Sequence, residues 1–205
     1  MSAAARALWI AVAAAALAAG AAGYAWLRPG AAPPKFNAVD ITGADWGREL
    51  ELFDHHGRRR TLADFRGKAV ALFFGFTHCP DVCPTALATI AQARARLGEE
   101  AGHVQGLFVT VDPKRDTPEV LAKYVTAFDP TFLGLHGDAA QTERAAKEFK
   151  IYYQAQKPDA NGAYGVDHSG QIYVLDAQGR LRLYIRSHDA SPEAIAHDLR
   201  LVLDS

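Results

Sequence analysis

The sequence predicts an α/β fold, a central mixed β-sheet flanked by helices, and three observations carry that expectation. Ala69–Gly75 is an unbroken apolar run with β-branched and aromatic residues, the composition of a strand buried on both faces. Helical stripes alternate with a second apolar strand after it, which is the pattern of parallel crossovers. Towards the end of the chain two apolar runs flank a turn, and a capped helix follows. At 205 residues, 49% hydrophobic and 22% charged, the chain can bury one sizeable core and is neither disordered nor collagen-like. Its net charge is −1, and Arg6, Arg28 and Lys35 all lie before residue 36 with no acid among them, so the remainder is more acidic than the whole. No nucleic-acid partner is expected of such a balance. Two cysteines are too few for a disulfide scaffold, so any role they have is local.

Residues 1–28 read as a membrane anchor or signal segment, 29–35 as a Pro/Ala linker and 36–205 as the folded domain. Ala7 to Leu27 carry no charge, and at 1.5 Å per residue they would make about 31 Å of helix, close to the roughly 30 Å of a bilayer core. Alanine dominates, but Trp9, Tyr24 and Trp26 sit near the two ends and favour an anchor, that is, a single transmembrane helix. A cleaved signal is the competing reading, since Ala18-Ala19-Gly20-Ala21 offers small residues to a peptidase. Both place the domain outside the cytoplasm.

Within the domain, strand 69–75 is followed by a helix from about Cys83 to Leu97, with Pro84 in its first turn and Gly98 as its stop. Gln105–Val111 reads as the second strand. Thr117 caps a helix with Pro118 at its first position, and Val120, Leu121, Tyr124, Val125 and Phe128 form its apolar stripe. A short apolar stretch, Phe132–Leu135, precedes Asp138 and Gln141, the two ends of a capping box that opens a helix to about Phe149. Residues 154–166 read as a polar loop. Ile172–Leu175 and Leu181–Ile185 flank the turn Asp176–Gly179, and Ser191-Pro192 starts a last helix. The order β-α-β-α-(β)-α-β-β-α is that of a thioredoxin-like fold. No surface in 36–205 suggests self-association, so a monomer is expected.

Cys79-Pro80-Asp81-Val82-Cys83 sits at the turn from the first strand into its helix. Cysteines four apart are one helical turn from each other, close enough for a disulfide or a shared soft metal. A helix N-terminus stabilises thiolate, so both cysteines are expected to be more reactive than a buried structural pair. Three readings stand: a structural disulfide, a thiol-disulfide oxidoreductase site and a metal site. Closing so short a loop would add only about 1–2 kcal/mol, a weak reason for a structural bond. The oxidoreductase motif has two residues between its cysteines where this has three. Thioredoxins also place a cis-proline before the strand that faces the cysteines, whereas Val166-Asp167-His168 stands here, and an imidazole there would face the two thiols. Two cysteines and a histidine form a soft three-coordinate set that suits Cu(I) and admits Cu(II), whereas zinc would want a fourth ligand. A peroxiredoxin-type peroxidase is disfavoured, because the Thr expected three residues before its cysteine is Pro80 or Phe76 here. His55 and His56 read as solvated residues of a hairpin turn, and His103, His136, His188 and His197 as surface residues. His78 precedes Cys79, but neighbouring side chains diverge.

Gly75-Phe-Thr-His-Cys-Pro-Asp-Val-Cys-Pro84, Val111-Asp-Pro-Lys-Arg-Asp-Thr-Pro118 and Val166-Asp-His-Ser-Gly170 resemble, in this order, the signature blocks of the Sco/SenC family of copper chaperones. The resemblance spans roughly 36–203. It implies a thioredoxin-like domain in which Cys79, Cys83 and His168 bind copper and help to build the dinuclear copper centre in subunit II of cytochrome c oxidase. By the same resemblance Cys79 and Cys83 would form a redox-active disulfide when oxidised. A bacterial inner-membrane location is implied, with the domain in the periplasm and other copper carriers or thiol reductants as further partners. The alternative is a periplasmic thiol-disulfide oxidoreductase that reduces the cysteines of that oxidase subunit. Asp112 ends the second strand at the cysteine edge, where it is placed to orient His168 or complete a Cu(II) shell; a strand-end cap before Pro113 is the other reading. Lys114, Arg115 and Asp116 read as an exposed polar loop, a docking surface or simply a solvated one.

Overall fold

The computed structural model describes residues 35–205 and, before them, Trp9 alone, so the expected anchor lies outside the described residues. Among the described residues no helix is long and apolar enough to cross a membrane. Phe36–Ser205 forms one compact unit.

The buried run Ala69–Gly75 is a strand, β4, with all its residues inaccessible. Three short strands precede it: β1 (Val39–Asp40), β2 (Glu51–Asp54) and β3 (Arg59–Thr61). Helix α1 (Val82–Ala95) leads into β5 (Val104–Thr110), α2 (Pro118–Thr126) into β6 (Leu133–His136), and α3 (Ala139–Glu148) into a hairpin of β7 (Tyr153–Ala155) and β8 (Val166–His168). The hairpin β9 (Gln171–Leu175) and β10 (Leu181–Arg186) precedes α4 (Pro192–Leu203). Eight strands form one sheet in the order β1-β10-β9-β4-β5-β6-β2-β3, and β7 and β8 pair apart from it. Strands β4, β5 and β6 run parallel, which their intervening helices require, and the outer pairings are antiparallel. The fold is thus the α/β arrangement with a central mixed sheet that the element order implies.

The helix starts are chemical. Thr117 accepts a hydrogen bond from the Val120 amide, Ser191 accepts one from Ala194, and Asp138 with Gln141 closes a full capping box. In a strand alternate side chains face opposite ways. Phe73 and Gly75 therefore face α1, whereas Phe74 points the other way, onto Phe149 just past α3, at 5.6 Å between rings. Two regions differ from expectation. The segment before residue 69 holds three strands, which are too short to show a period. Residues 154–166 are not wholly loop, because their ends pair as β7 and β8.

Gly106, in the middle of β5, lies against the face of the Phe132 ring, and a Cβ there would come within 2.4 Å of it. Gly106→Ala should therefore lower stability by roughly 1–3 kcal/mol, the range for overpacking a core. Thermal denaturation checks it, and an unchanged midpoint would mean that Phe132 moves aside freely.

Candidate metal centre

Because β4, β5 and β6 are parallel, their carboxyl ends share one edge of the sheet, the place where open α/β folds gather functional groups. The chain leaves β4 at Gly75, turns through Phe76 to Asp81 and enters α1. Cys83 is consequently the second residue of the helix, and its side chain turns back over the sheet. Its sulfur rests on Gly75: a Cβ at that glycine would lie 2.5 Å from Sγ. The sulfur needs the space a missing side chain leaves. Cys83 is 0% exposed, whereas Cys79 is partly exposed, and both are free thiols.

The third group arrives from the opposite direction. Strand β9 is antiparallel to β4, with Phe73 opposite Ile172, so its beginning lies at the same edge as the end of β4. The residues just before β9 therefore fall beside the cysteines, and His168 is among them. Its Nε2 is 3.4 Å from Cys83 Sγ, and the ligand atoms of Cys79, Cys83 and His168 all lie within 4.8 Å of one another. Donors bonded to one metal at about 2.3 Å stand roughly 4 Å apart, so the set needs little closure to share an ion. The Ser169 carbonyl lies 3.0 Å from His168 Nδ1. A carbonyl only accepts, so Nδ1 carries the proton and Nε2 presents its lone pair to the sulfurs. Phe73 and Phe76 stand edge-on to the imidazole at 6.1 and 5.7 Å. Burial holds the His168 pKa below its ordinary value, the Ser169 carbonyl working weakly against it, so the ring is neutral and able to ligate at pH 7.

Cys83 differs from the expectation of an activated cysteine. Burial drives the Cys83 thiol far above its ordinary pKa, with the Phe76 backbone opposing and the neighbouring Cys79 adding to the rise. In a site this dry, desolvation outweighs the helix N-terminus. In the metal-free protein, Cys79 should therefore be alkylated well before Cys83 by iodoacetamide at pH 8. Mass spectrometry of the time course checks this, and equal rates would mean that the Cys83 pocket opens readily.

Asp112 makes no hydrogen bond to His168 in this structure. It is buried, but its carboxylate is engaged by Arg115 Nε and by the Tyr164 hydroxyl at 3.0 Å, while the Ser169 carbonyl orients the imidazole. Nor is the 114–116 loop a uniformly solvated run. Asp116 is 1% exposed and accepts from the Thr77 amide at 3.0 Å, the Thr77 hydroxyl at 2.6 Å and the Thr110 hydroxyl at 2.5 Å. That carboxylate fastens the turn ahead of Cys79 to the end of β5, a role no local sequence signal marks. His55 is not solvated: it is 9% exposed and its Nδ1 accepts the Gly134 amide at 3.1 Å, tying the β2–β3 turn to β6. His136 is half-buried, with Nε2 inaccessible and unpartnered. His56, His103, His188 and His197 are exposed, as the sequence suggests, and so is His78.

A sheet of this order, with two thiols and a neutral imidazole converging at the carboxyl ends of its strands, defines a thioredoxin-like domain with a candidate soft-metal centre. The SCO1/SenC family pattern matches residues 39–204, and the chain belongs to that family. It is 45% identical over 154 residues to "Protein SCO2 homolog, mitochondrial" of Bos taurus, covering 74% of this chain and 58% of that relative's length. Among solved structures it resembles "Structure of Bradyrhizobium japonicum ScoI with copper bound" at 36% identity and a TM-score of 0.70, over 77% of this chain and 99% of that one. It also resembles "Crystal Structure of Yeast Sco1 with Copper Bound" at 30% identity and a TM-score of 0.67, over 74% and 85% of the two chains.

Proposed function

We propose that the domain is a copper metallochaperone: Cys79, Cys83 and His168 hold one copper ion as cargo and pass it by ligand exchange to a membrane-bound oxidase subunit. The observation that carries the reading is the convergence of two sulfurs and a proton-free imidazole nitrogen within 4.8 Å. Thiolate and imidazole together favour Cu(I) and tolerate Cu(II). Two relatives of similar fold were solved with copper, which supports the same cargo here. Cytochrome c oxidase subunit II as acceptor rests on the resemblance of the three sequence blocks, as does a periplasmic domain tethered by residues 1–28.

The chemistry of uptake follows from the residues. Copper displaces the thiol protons, the ion settles between Cys79 and Cys83, and His168 closes the third position without releasing a proton. Cys79 is the more exposed of the two thiols and so the sulfur an incoming acceptor thiolate meets first, whereas Cys83 holds the ion from the buried side. Joining the two sulfurs in a disulfide removes both thiolates, so oxidation would empty the site and a thiol reductant would be needed to recharge it. The alternative, a thiol-disulfide oxidoreductase, fits less well. No cis peptide occurs among the described residues, so the cis-proline of that machinery has no counterpart facing the cysteines. Disulfide exchange needs the two thiols but not a third ligating group, so the oxidoreductase reading leaves the imidazole 3.4 Å from Cys83 Sγ without a required part.

Reduced residues 36–205 should bind one Cu(I) per chain. Cys83→Ala should abolish tight binding and His168→Ala should weaken it at least about 10-fold. The Cys79–Cys83 disulfide form should bind none. Equilibrium dialysis with metal analysis checks all four samples, and a disulfide-bonded protein that retains stoichiometric copper would sink the proposal. Persistence of thiol reductase turnover in His168→Ala without copper binding in the wild type would favour the alternative.

Loading should also be linked to pH. Cys83 is protonated at neutral pH because burial raises its pKa, and copper binds the thiolate, so binding must expel that proton. Cu(I) affinity should rise with pH from 6 to 8, and titration in weak buffer with an indicator dye should record proton release. A pH-independent affinity would contradict protonated Cys83 as a ligand.

A further inference from the structure

We propose that Arg115 is a positioning residue for His168, acting as a clamp on the hairpin that carries it. This rests on the copper-site reading above and adds a residue that governs the third ligand. The need for a clamp arises from the sheet topology. His168 ends β8, and β8 pairs with β7 in a two-stranded sheet separate from the main one. The ladder that fixes β4 and β9 in the core therefore does not fix the histidine. At its base the hairpin is held by the Ser169 amide on the Tyr152 carbonyl at 2.9 Å and by the Ser187 amide on the Gly170 carbonyl at 3.1 Å. Its distal loop spans residues 156–165, a length that moves freely unless something holds it.

The loop closes on itself through the Gln156 amide on the Gly165 carbonyl at 2.9 Å and the Asp159 amide on the Ala163 carbonyl at 2.8 Å, and Arg115 ties it to the body of the domain. The guanidinium carbon lies 3.5 Å from the centroid of the Tyr164 ring, and Nη1 donates to the Tyr164 carbonyl at 2.8 Å. Nε donates to Asp112, and the Tyr164 hydroxyl donates to the same carboxylate at 3.0 Å, so arginine, aspartate and tyrosine close a ring. The same guanidinium backs Phe76 at 5.8 Å, and Phe76 stands edge-on to the His168 imidazole at 5.7 Å. One side chain thus fixes both the entry into the histidine's strand, at Tyr164, and an aromatic wall beside its ring. The clamp is itself rigid: the Arg115 and Asp116 amides both donate to the Asp112 carbonyl, at 3.1 and 3.0 Å, and Asp116 is locked to Thr77 and Thr110. A planar fork that stacks on an aromatic face and donates to two separate acceptors is chemistry that lysine cannot reproduce.

Positioning through His168 differs measurably from general support of the fold. Cu(I) affinity of reduced residues 36–205 is measured by competition with a chromophoric Cu(I) chelator, for Arg115→Ala in the wild-type and the His168→Ala backgrounds. The expected result is a loss of roughly 10-fold in the wild-type background, typical of groups that orient a ligand, and a change below about 2-fold once His168 is gone. Arg115→Lys should behave as Arg115→Ala. Tyr164→Ala should reproduce the loss, whereas Tyr164→Phe, which keeps the stack and the carbonyl bond, should retain most of the affinity. Equal losses in the two backgrounds, or none in either, would overturn the proposal. If Arg115→Ala does not fold, Tyr164→Ala decides through the same cycle. A readout without copper separates this inference from the function it rests on: in the metal-free protein Arg115→Ala should speed amide hydrogen exchange at residues 164–169 and leave that of β4 unchanged. A wild type that binds no copper but shows this exchange pattern would refute the chaperone reading and leave the clamp standing. Unchanged exchange would refute the clamp.

Discussion

The Cys83 sulfur is buried at the corner where β4 becomes α1, and the rest of the metal edge is arranged around that position. A thiol at that depth is held protonated by desolvation, so it gains little from its place at a helix N-terminus until a cation replaces the proton. The corner has room for sulfur because residue 75 is glycine, and the turn that leads to it is fastened by a carboxylate, Asp116, with no accessible surface to speak of. Given a fixed, dry sulfur, a metal site needs a second sulfur at the surface and a neutral nitrogen aimed inwards. Cys79 supplies the first, one turn earlier. The antiparallel entry into β9 supplies the second, because it returns the chain to the edge from which β4 leaves.

Division of labour among the three groups follows from their burial. Cys83 is fully buried, His168 stands between Phe73 and Phe76, and the imidazole stays neutral because burial penalises its charged form. Cys79 is the side through which exchange can occur. Such a gradient from a dry rear to a wet front suits a cargo that must be held and then surrendered, since ligand exchange starts wherever the partner's sulfur can reach. A closed four-coordinate structural site would have no such open side.

The core and the ligand set are legible in the sequence, whereas what positions them is largely not. Strand 69–75 announces itself by continuous apolarity, and the helices by Thr117, Asp138 and Ser191 at their starts, since these signals are local and strong. Strands of two to four residues, such as 39–40 and 51–54, are too short to display a period, and their place at the edges of the sheet depends on partners far along the chain. The cysteine pair declares itself by spacing and His168 by the three sequence blocks taken together. Asp116 and Arg115 do not, because a charged Lys-Arg-Asp run reads as solvated until the fold brings Thr77, Thr110 and Tyr164 to it. The same blindness applies to His55, whose Gly134 partner is 79 residues away. Asp112 is marked by its strand-end position, but its partners Arg115 and Tyr164 are not, because Tyr164 reaches its carboxylate only in the fold.

X-ray absorption at the copper edge of the reduced, Cu(I)-loaded domain tests the account most directly, because it counts the ligands by type. The account predicts one copper bound by two sulfurs and one nitrogen, with the nitrogen lost in His168→Ala. A shell of sulfur alone in the wild type, or of nitrogen and oxygen without sulfur, would contradict the convergence of Cys79, Cys83 and His168 on a single ion.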